Sequence, residues 1–132
     1  MYQYNAVIRN VVDGDTIEID IDLGLSAWVH NEKIRLYGID TPEVYGVKKG
    51  SPEWILGNQS SEFVKQNLKE NSQVIIETIK DKKEKYGRYL ALIFIQIDPE
   101  LLTGLADIRS IGDYFCLNDI LIGKGFAKKY MI

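Results

Sequence analysis

The chain has 132 residues, of which 16 are basic and 19 acidic, giving a formal net charge of −3, and 45% of its side chains are apolar. That is the length of one domain with enough apolar material for a core, so residues 1–132 read as a single folded domain and disorder is excluded. One cysteine and one histidine exclude an intrachain disulfide, catalysis by a histidine pair and a zinc site of the Cys/His type.

The elements follow from the pattern of apolar residues. Residues 4–12 are rich in apolar and β-branched side chains, and Ile17-Glu18-Ile19-Asp20-Ile21-Asp22 alternates at period two, which predicts two strands with the isoleucines inward. Asp13-Gly14 between them predicts a hairpin turn that uses the positive φ of glycine. Asp15 shares the parity of Ile17, Ile19 and Ile21, so a carboxylate is expected on the buried face at the start of the second strand. A third strand over 32–39 carries Ile34 and Leu36 on one face and Arg35 on the other, and ends at Asp40-Thr41-Pro42-Glu43, where proline stops the ladder.

Ser51-Pro52-Glu53 has the form of a helix cap, and the helix is expected best formed over 58–69 with Phe63, Val64 and Leu68 inward. Strands over 73–79 and 88–97 follow, joined by a basic loop containing Tyr86-Gly87, and Asn118 is expected to cap a short helix over 119–124 that Gly125 closes. Residues 98–115 show no assignable pattern. Five short strands with a helix after the third do not suit a doubly wound sheet, and a small closed or nearly closed barrel fits them better.

Charge is unevenly distributed. Five acids and no base occur between Asp13 and Asp22, whereas Lys80, Lys82, Lys83, Lys85 and Arg88 stand close to only two acids, and Lys124, Lys128 and Lys129 follow near the end. This split suits a cation pocket beside an anion-attracting rim; alternating solvated charges are the plainer reading. Asp15 and Asp40 fall at strand ends that a barrel rim can bring together, with the Thr41 carbonyl as a third hard oxygen, and such ligands favour calcium or magnesium. Alone, either aspartate reads as a turn or cap residue. Glu43, one residue past a proline, can accept a proton from water; its plain alternative is loop solvation. Arg35 and Arg88 can each hold two phosphate oxygens, although Arg35 taken alone reads as a surface ion pair. Tyr86 and Tyr130, both near lysines, can stack on a base or pack at the barrel edge.

Taken together, Val12-Asp13-Gly14-Asp15-Thr16, Ile34-Arg35-Leu36-Tyr37-Gly38-Ile39-Asp40-Thr41-Pro42-Glu43 and Lys85-Tyr86-Gly87-Arg88 resemble the staphylococcal nuclease (thermonuclease) family in order and spacing. The resemblance covers most of the chain. It implies a mixed β fold with α, an OB-fold five-stranded β-barrel with flanking helices, and a calcium-dependent enzyme that cuts phosphodiester bonds in DNA and RNA. By that likeness Asp15, Asp40 and the Thr41 carbonyl would hold Ca2+. Glu43 would be the general base, and Arg35 and Arg88 would stabilise the transition state. Lys85 and Tyr86 would contact a terminal phosphate, and Tyr130 a sugar and base. The alternative is a non-catalytic binding module of the same fold, as in the nuclease-like repeats of Tudor-staphylococcal nuclease proteins.

The expected partners are therefore DNA or RNA, with no membrane and no second copy of the chain. No apolar run approaches the ~20 residues of a spanning helix. The start Met1-Tyr2-Gln3-Tyr4-Asn5 lacks the layout of an export signal, so the expected location is the cytoplasm as the sequence stands, or outside the cell if a leader has been removed.

Overall fold

Alternating isoleucines build the barrel. In the computed structural model, which describes residues 2–130 and only the backbone of Asp81, strands β1 (Tyr2–Asp13), β2 (Thr16–Gly24) and β3 (Ala27–Leu36) form an antiparallel meander. Two residues, Ile39–Asp40, form β4, and β5 (Gln73–Lys83) and β6 (Tyr89–Ile95) follow helix α1 (Pro52–Asn67). β5 pairs with β1 and with β6, and β6 closes onto β3 in parallel through Ile34↔Tyr89, Arg35↔Leu90 and Leu36↔Ala91. Among the described residues five strands thus close on themselves as the OB-fold barrel the sequence led us to expect, and Ile8, Ile17, Ile19, Ile34, Leu36, Ile76 and Ile93 fill it. No helix among the described residues is long and apolar enough to cross a membrane.

The strands run beyond their expected bounds where alternation gives no signal. β3 begins at Ala27, five residues before the expected start, because its first half is mostly exposed and is held by the tight turn at Leu25 and Ser26, both at positive φ, with Gly24 N donating to Asp22 Oδ1 at 2.8 Å. A bulge at Asn31, φ 58°, shifts the β2–β3 register and sets His30 and Asn31 over Asp20, which keeps the face opposite Ile19 and Ile21. Its carboxylate, nearly buried, accepts from Arg9 Nε at 2.5 Å and Asn31 N at 2.9 Å and lies 3.1 Å from His30 Nδ1. Asp20 therefore belongs to a structural ion cluster and to no cation pocket. Burial alone would raise its pKa, but the Asn31 amide, Arg9 and His30 together hold it at about 2. A depressed carboxyl stabilises the fold above its unfolded pKa near 3.8 and loses that contribution as pH falls through about 2. Urea unfolding of Asp20→Asn is accordingly expected to show a clear stability loss at pH 6 that narrows towards wild type at pH 2.

α1 begins at Pro52, as the expected cap at Ser51-Pro52-Glu53 requires: the Ser51 hydroxyl accepts from Trp54 N at 3.2 Å, and the helix is regular well ahead of the stretch expected to be best formed. Val64 and Leu68 are buried as expected, and Phe63 packs on Phe126 with ring centres 5.3 Å apart. Within 98–115 the structure has a 3-10 turn (Pro99–Leu102) and a small hairpin, β7 (Ser110–Ile111) and β8 (Tyr114–Cys116), which extends the sheet beside β6. Strands this short leave no periodicity to read. Cys116 joins Leu92 and Phe94 in a second small core, against which Ile111 and Tyr114 of the hairpin pack, and burial pushes the Cys116 thiol up to about 12.

Helix α2 (Leu117–Gly123) corrects one expectation: Cys116 holds the cap position, and Asn118 lies inside the first turn with its side chain buried. The Asn118 amide accepts from Ile93 N at 3.1 Å and donates to Tyr37 O at 2.9 Å, tying the helix to β6 and to the turn after β3. β9 (Lys128–Lys129) then pairs with β4 through Ile39↔Lys129 and Asp40↔Lys128.

Candidate active site

One end of the barrel gathers residues from four separate stretches. The β1–β2 turn places Asp15 there, and its main chain is locked by Leu36 N donating to Asp15 O at 2.8 Å. Thr16 stands opposite Arg35 in the β2–β3 pair, so Arg35 emerges beside that turn. After β3 the chain reverses at Gly38, φ 79°, a conformation that glycine adopts without strain, and Asp40 returns towards Arg35. Arg35 Nη2 lies 3.5 Å from both Asp15 Oδ2 and Asp40 Oδ1, while its Nη1 donates to Leu36 O at 2.7 Å. The two carboxylates therefore converge on a single guanidinium nitrogen. Thr41 is buried, and its N–H donates to Asp15 Oδ2 at 3.4 Å.

The Gly14 turn forms as expected, but for a different reason. Gly14 is not at positive φ; a Cβ there would lie 3.1 Å from Thr41 Cγ2 and Oγ1, so glycine makes room for the threonine. Asp15 belongs to this turn, one residue ahead of β2, and its side chain is only 13% exposed. Asp13 joins it, its Oδ1 accepting from Asp15 N at 3.0 Å, and burial, together with the adjacent Asp15 carboxyl, pushes Asp13 up to about 6.

Arg88 arrives from the β5–β6 turn. Gly87, φ 80°, closes that turn, and Glu84 organises it by accepting from Tyr86 N at 3.0 Å, Arg88 N at 2.9 Å and Arg88 Nε at 3.2 Å. Burial raises the Glu84 pKa, but Arg88 outweighs it and lowers the net value. Arg88 Nη1 then donates to Thr16 Oγ1 at 3.1 Å, and Thr16 donates to Asp15 Oδ1 at 3.3 Å. A continuous hydrogen-bond chain thus runs from Glu84 through Arg88 and Thr16 to Asp15.

Glu43 is exposed, on an irregular stretch between β4 and α1. Asp15, Arg35, Asp40, Thr41, Glu43 and Arg88 all line one cavity of about 260 Å³. Three expected residues lie outside its lining. Lys85 and Tyr86 sit on the turn that carries Arg88, with the Lys85 ammonium 5.0 Å and the Arg88 guanidinium 5.6 Å from the centre of the largely exposed Tyr86 ring. Tyr130, half exposed, lines a different groove with Tyr37, Arg109 and Lys129.

Sequence reasoning missed Asp13, Thr16 and Glu84 as members of the site, and it missed what fixes the Glu43 segment. A Cβ on the buried Gly57 of α1 would lie 2.7 Å from Pro42 O, 2.9 Å from Val44 Cγ2 and 3.1 Å from Glu43 O. Helix propensity alone favours alanine over glycine by about 1 kcal/mol. Here Gly57→Ala is expected instead to lower the melting temperature, whereas Asn58→Ala on the exposed face is not; thermal unfolding of both variants checks this.

The donor set fits a hard cation. It consists of carboxylate and main-chain oxygens, and among the described residues no three acidic, histidine or cysteine side chains group closely enough to cage a metal. Asp15, Asp40 and the main chain at Thr41 would leave the rest of the coordination shell to water and substrate, as open sites for Ca2+ or Mg2+ do.

A closed five-stranded barrel with acids, arginines and a turn glutamate gathered at one end defines an OB-fold domain of the nuclease type. Residues 33–132 match the family model for staphylococcal nuclease homologues, and the chain belongs to that family. It is similar to the thermonucleases of Staphylococcus intermedius and Staphylococcus hyicus, each 39% identical over 89 residues, or 67% of this chain. An uncharacterised protein of Methanocaldococcus jannaschii is 32% identical over 147 residues, covering 98% of this chain. The aligned region takes in 60% of the archaeal protein and about half of each thermonuclease, 48% and 47%.

Proposed function

We propose that this chain, acting as a monomer, is a calcium-dependent nuclease that hydrolyses phosphodiester bonds in DNA and RNA. The observation that carries this reading is the lining of a single cavity by Asp15, Arg35, Asp40, Thr41, Glu43 and Arg88. Retention of all six favours catalysis over a purely binding module of the same fold.

In this reading Asp15, Asp40 and the Thr41 carbonyl would hold the ion, which when bound would neutralise charge on the phosphate. Arg35 and Arg88 bind non-bridging oxygens with their planar forks and stabilise the charge that builds as phosphorus becomes five-coordinate. Glu43, exposed and therefore accessible to water, takes a proton from the attacking water. The leaving 5′ oxygen departs in line, on the Arg88 side, where Lys85 and Tyr86 meet the continuing strand. Tyr130 serves a sugar and base further along.

Fragment ends test this arrangement. Incubation with single-stranded DNA and with RNA is expected to yield 3′-phosphate and 5′-hydroxyl ends; 5′-phosphate ends would overturn the placement of the leaving group at Arg88.

A further inference from the structure

A second cavity, of about 460 Å³, shares segment 40–43 with the candidate active site but has neither Arg35 nor Arg88 on its walls. Its size lies within the range of small-molecule sites. Pro42, Pro52, Leu56 and Phe126 supply an apolar wall, and Lys128 stands at its border.

The groove is firmly built. Ser60, fully buried in α1, places its hydroxyl 2.6 Å from the Phe126 carbonyl, to which it donates, and so fixes the helix against segment 125–128. The Phe126 ring rests on Phe63. Asp40↔Lys128 pairing in the β4–β9 ladder directs the side chains of Asp40 and Lys128 to the same face.

A phosphodiester lying over segment 40–43 has two arms. In-line displacement sends the leaving nucleoside away from the attacking water, hence away from Glu43 and towards Arg88. The other nucleoside keeps the phosphate through an equatorial oxygen and so projects sideways from that line, and the groove beside segment 40–43, free of Arg88, offers it a place. Glu43, Asp40 and Glu53 disfavour a phosphate inside the groove, whereas its apolar wall suits the face of a sugar and base. Lys128 can meet the next phosphate upstream.

Resting on the nuclease reading above, we infer that this groove is a nucleoside subsite that binds the phosphate-retaining side of the substrate, with Leu56 and Phe126 as its floor and Lys128 as its outer contact. Hydrolysis there adds water across one P–O bond, giving a nucleoside 3′-phosphate and a free 5′-hydroxyl.

Two substrates with the same leaving nucleoside test it: a dinucleoside monophosphate, and the methyl ester of the corresponding nucleoside 5′-phosphate, which lacks the upstream nucleoside. With calcium, the wild type is expected to favour the first in kcat/KM by about tenfold or more, the scale of one base stacked on an apolar or aromatic wall. Leu56→Trp, which fills the groove, is expected to remove that preference. A wild-type ratio near one, or an unchanged ratio in Leu56→Trp, would overturn the subsite. Cleavage of neither substrate by the wild type would instead defeat the nuclease reading itself. Should Leu56→Trp not fold, the exposed change Lys128→Gln decides: the gain from adding a further upstream phosphate is expected to fall, and an undiminished gain counts against the subsite.

Discussion

Glu43→Gln is expected to lower kcat by about 10²–10⁴-fold, the range for loss of a positioned general base, while KM and the melting temperature remain close to wild type. Glutamine retains shape and polarity but cannot accept the proton of an attacking water. Structural cost is small because Glu43 is exposed and its position is set by its own main chain, held between Thr41, which is anchored to Asp15, and the face of α1 at Gly57. Steady-state kinetics and thermal unfolding on the same preparation check both halves. Near-normal turnover in this variant would remove Glu43 from the chemistry.

Arg35→Ala is the second large effect, and it is expected to appear in both activity and stability. Among the described residues Arg35 is the side chain that forms ion pairs with both Asp15 and Asp40, at 3.5 Å each, and it is only 12% exposed. Without it, two neighbouring carboxylates face each other with their shared counter-charge gone, so the melting temperature falls. Turnover is expected to fall by about 10²–10³-fold, as when a single preorganised donor to a developing oxyanion is lost. The two losses separate on adding calcium: melting temperature recovers, because a cation between Asp15 and Asp40 replaces the missing positive charge, but turnover does not, because the guanidinium fork towards the phosphate is still absent. Arg35→Lys is expected to resemble Arg35→Ala in activity more than in stability.

The barrel was legible because the isoleucines of β2 and the apolar residues of β3 and β6 alternate or cluster strongly, and these residues are the ones most completely buried. The gathering of Asp15, Arg35, Asp40 and Arg88 was legible as well, because they sit beside turns and strand ends that the closure of the barrel brings to one cavity. What escaped has identifiable physical causes. Asp20 reads as one of a run of exposed acids because alternation places it off the core face, and what covers it there, Arg9 of β1 and the bulge at Asn31 in β3, leaves no mark in the pattern of β2. Glu84 looked like a surface charge, although its role is to shape the turn that presents Arg88. Gly14 and Gly57 are dictated by neighbours distant in sequence, Thr41 and Pro42, and no local pattern encodes such an approach. Asn118 carried a cap signal, but its amide is used across the core by β6 and the β3–β4 turn. Tyr130 lines a groove apart from the six clustered side chains.

Cleavage of a labelled oligonucleotide by the purified, folded chain, with calcium and then with excess chelator, tests the central claim most directly. Hydrolysis that stops on chelation and resumes when calcium is restored is the predicted result. No cleavage in calcium, or cleavage indifferent to the chelator, would contradict a cation held by Asp15 and Asp40 beside Arg35.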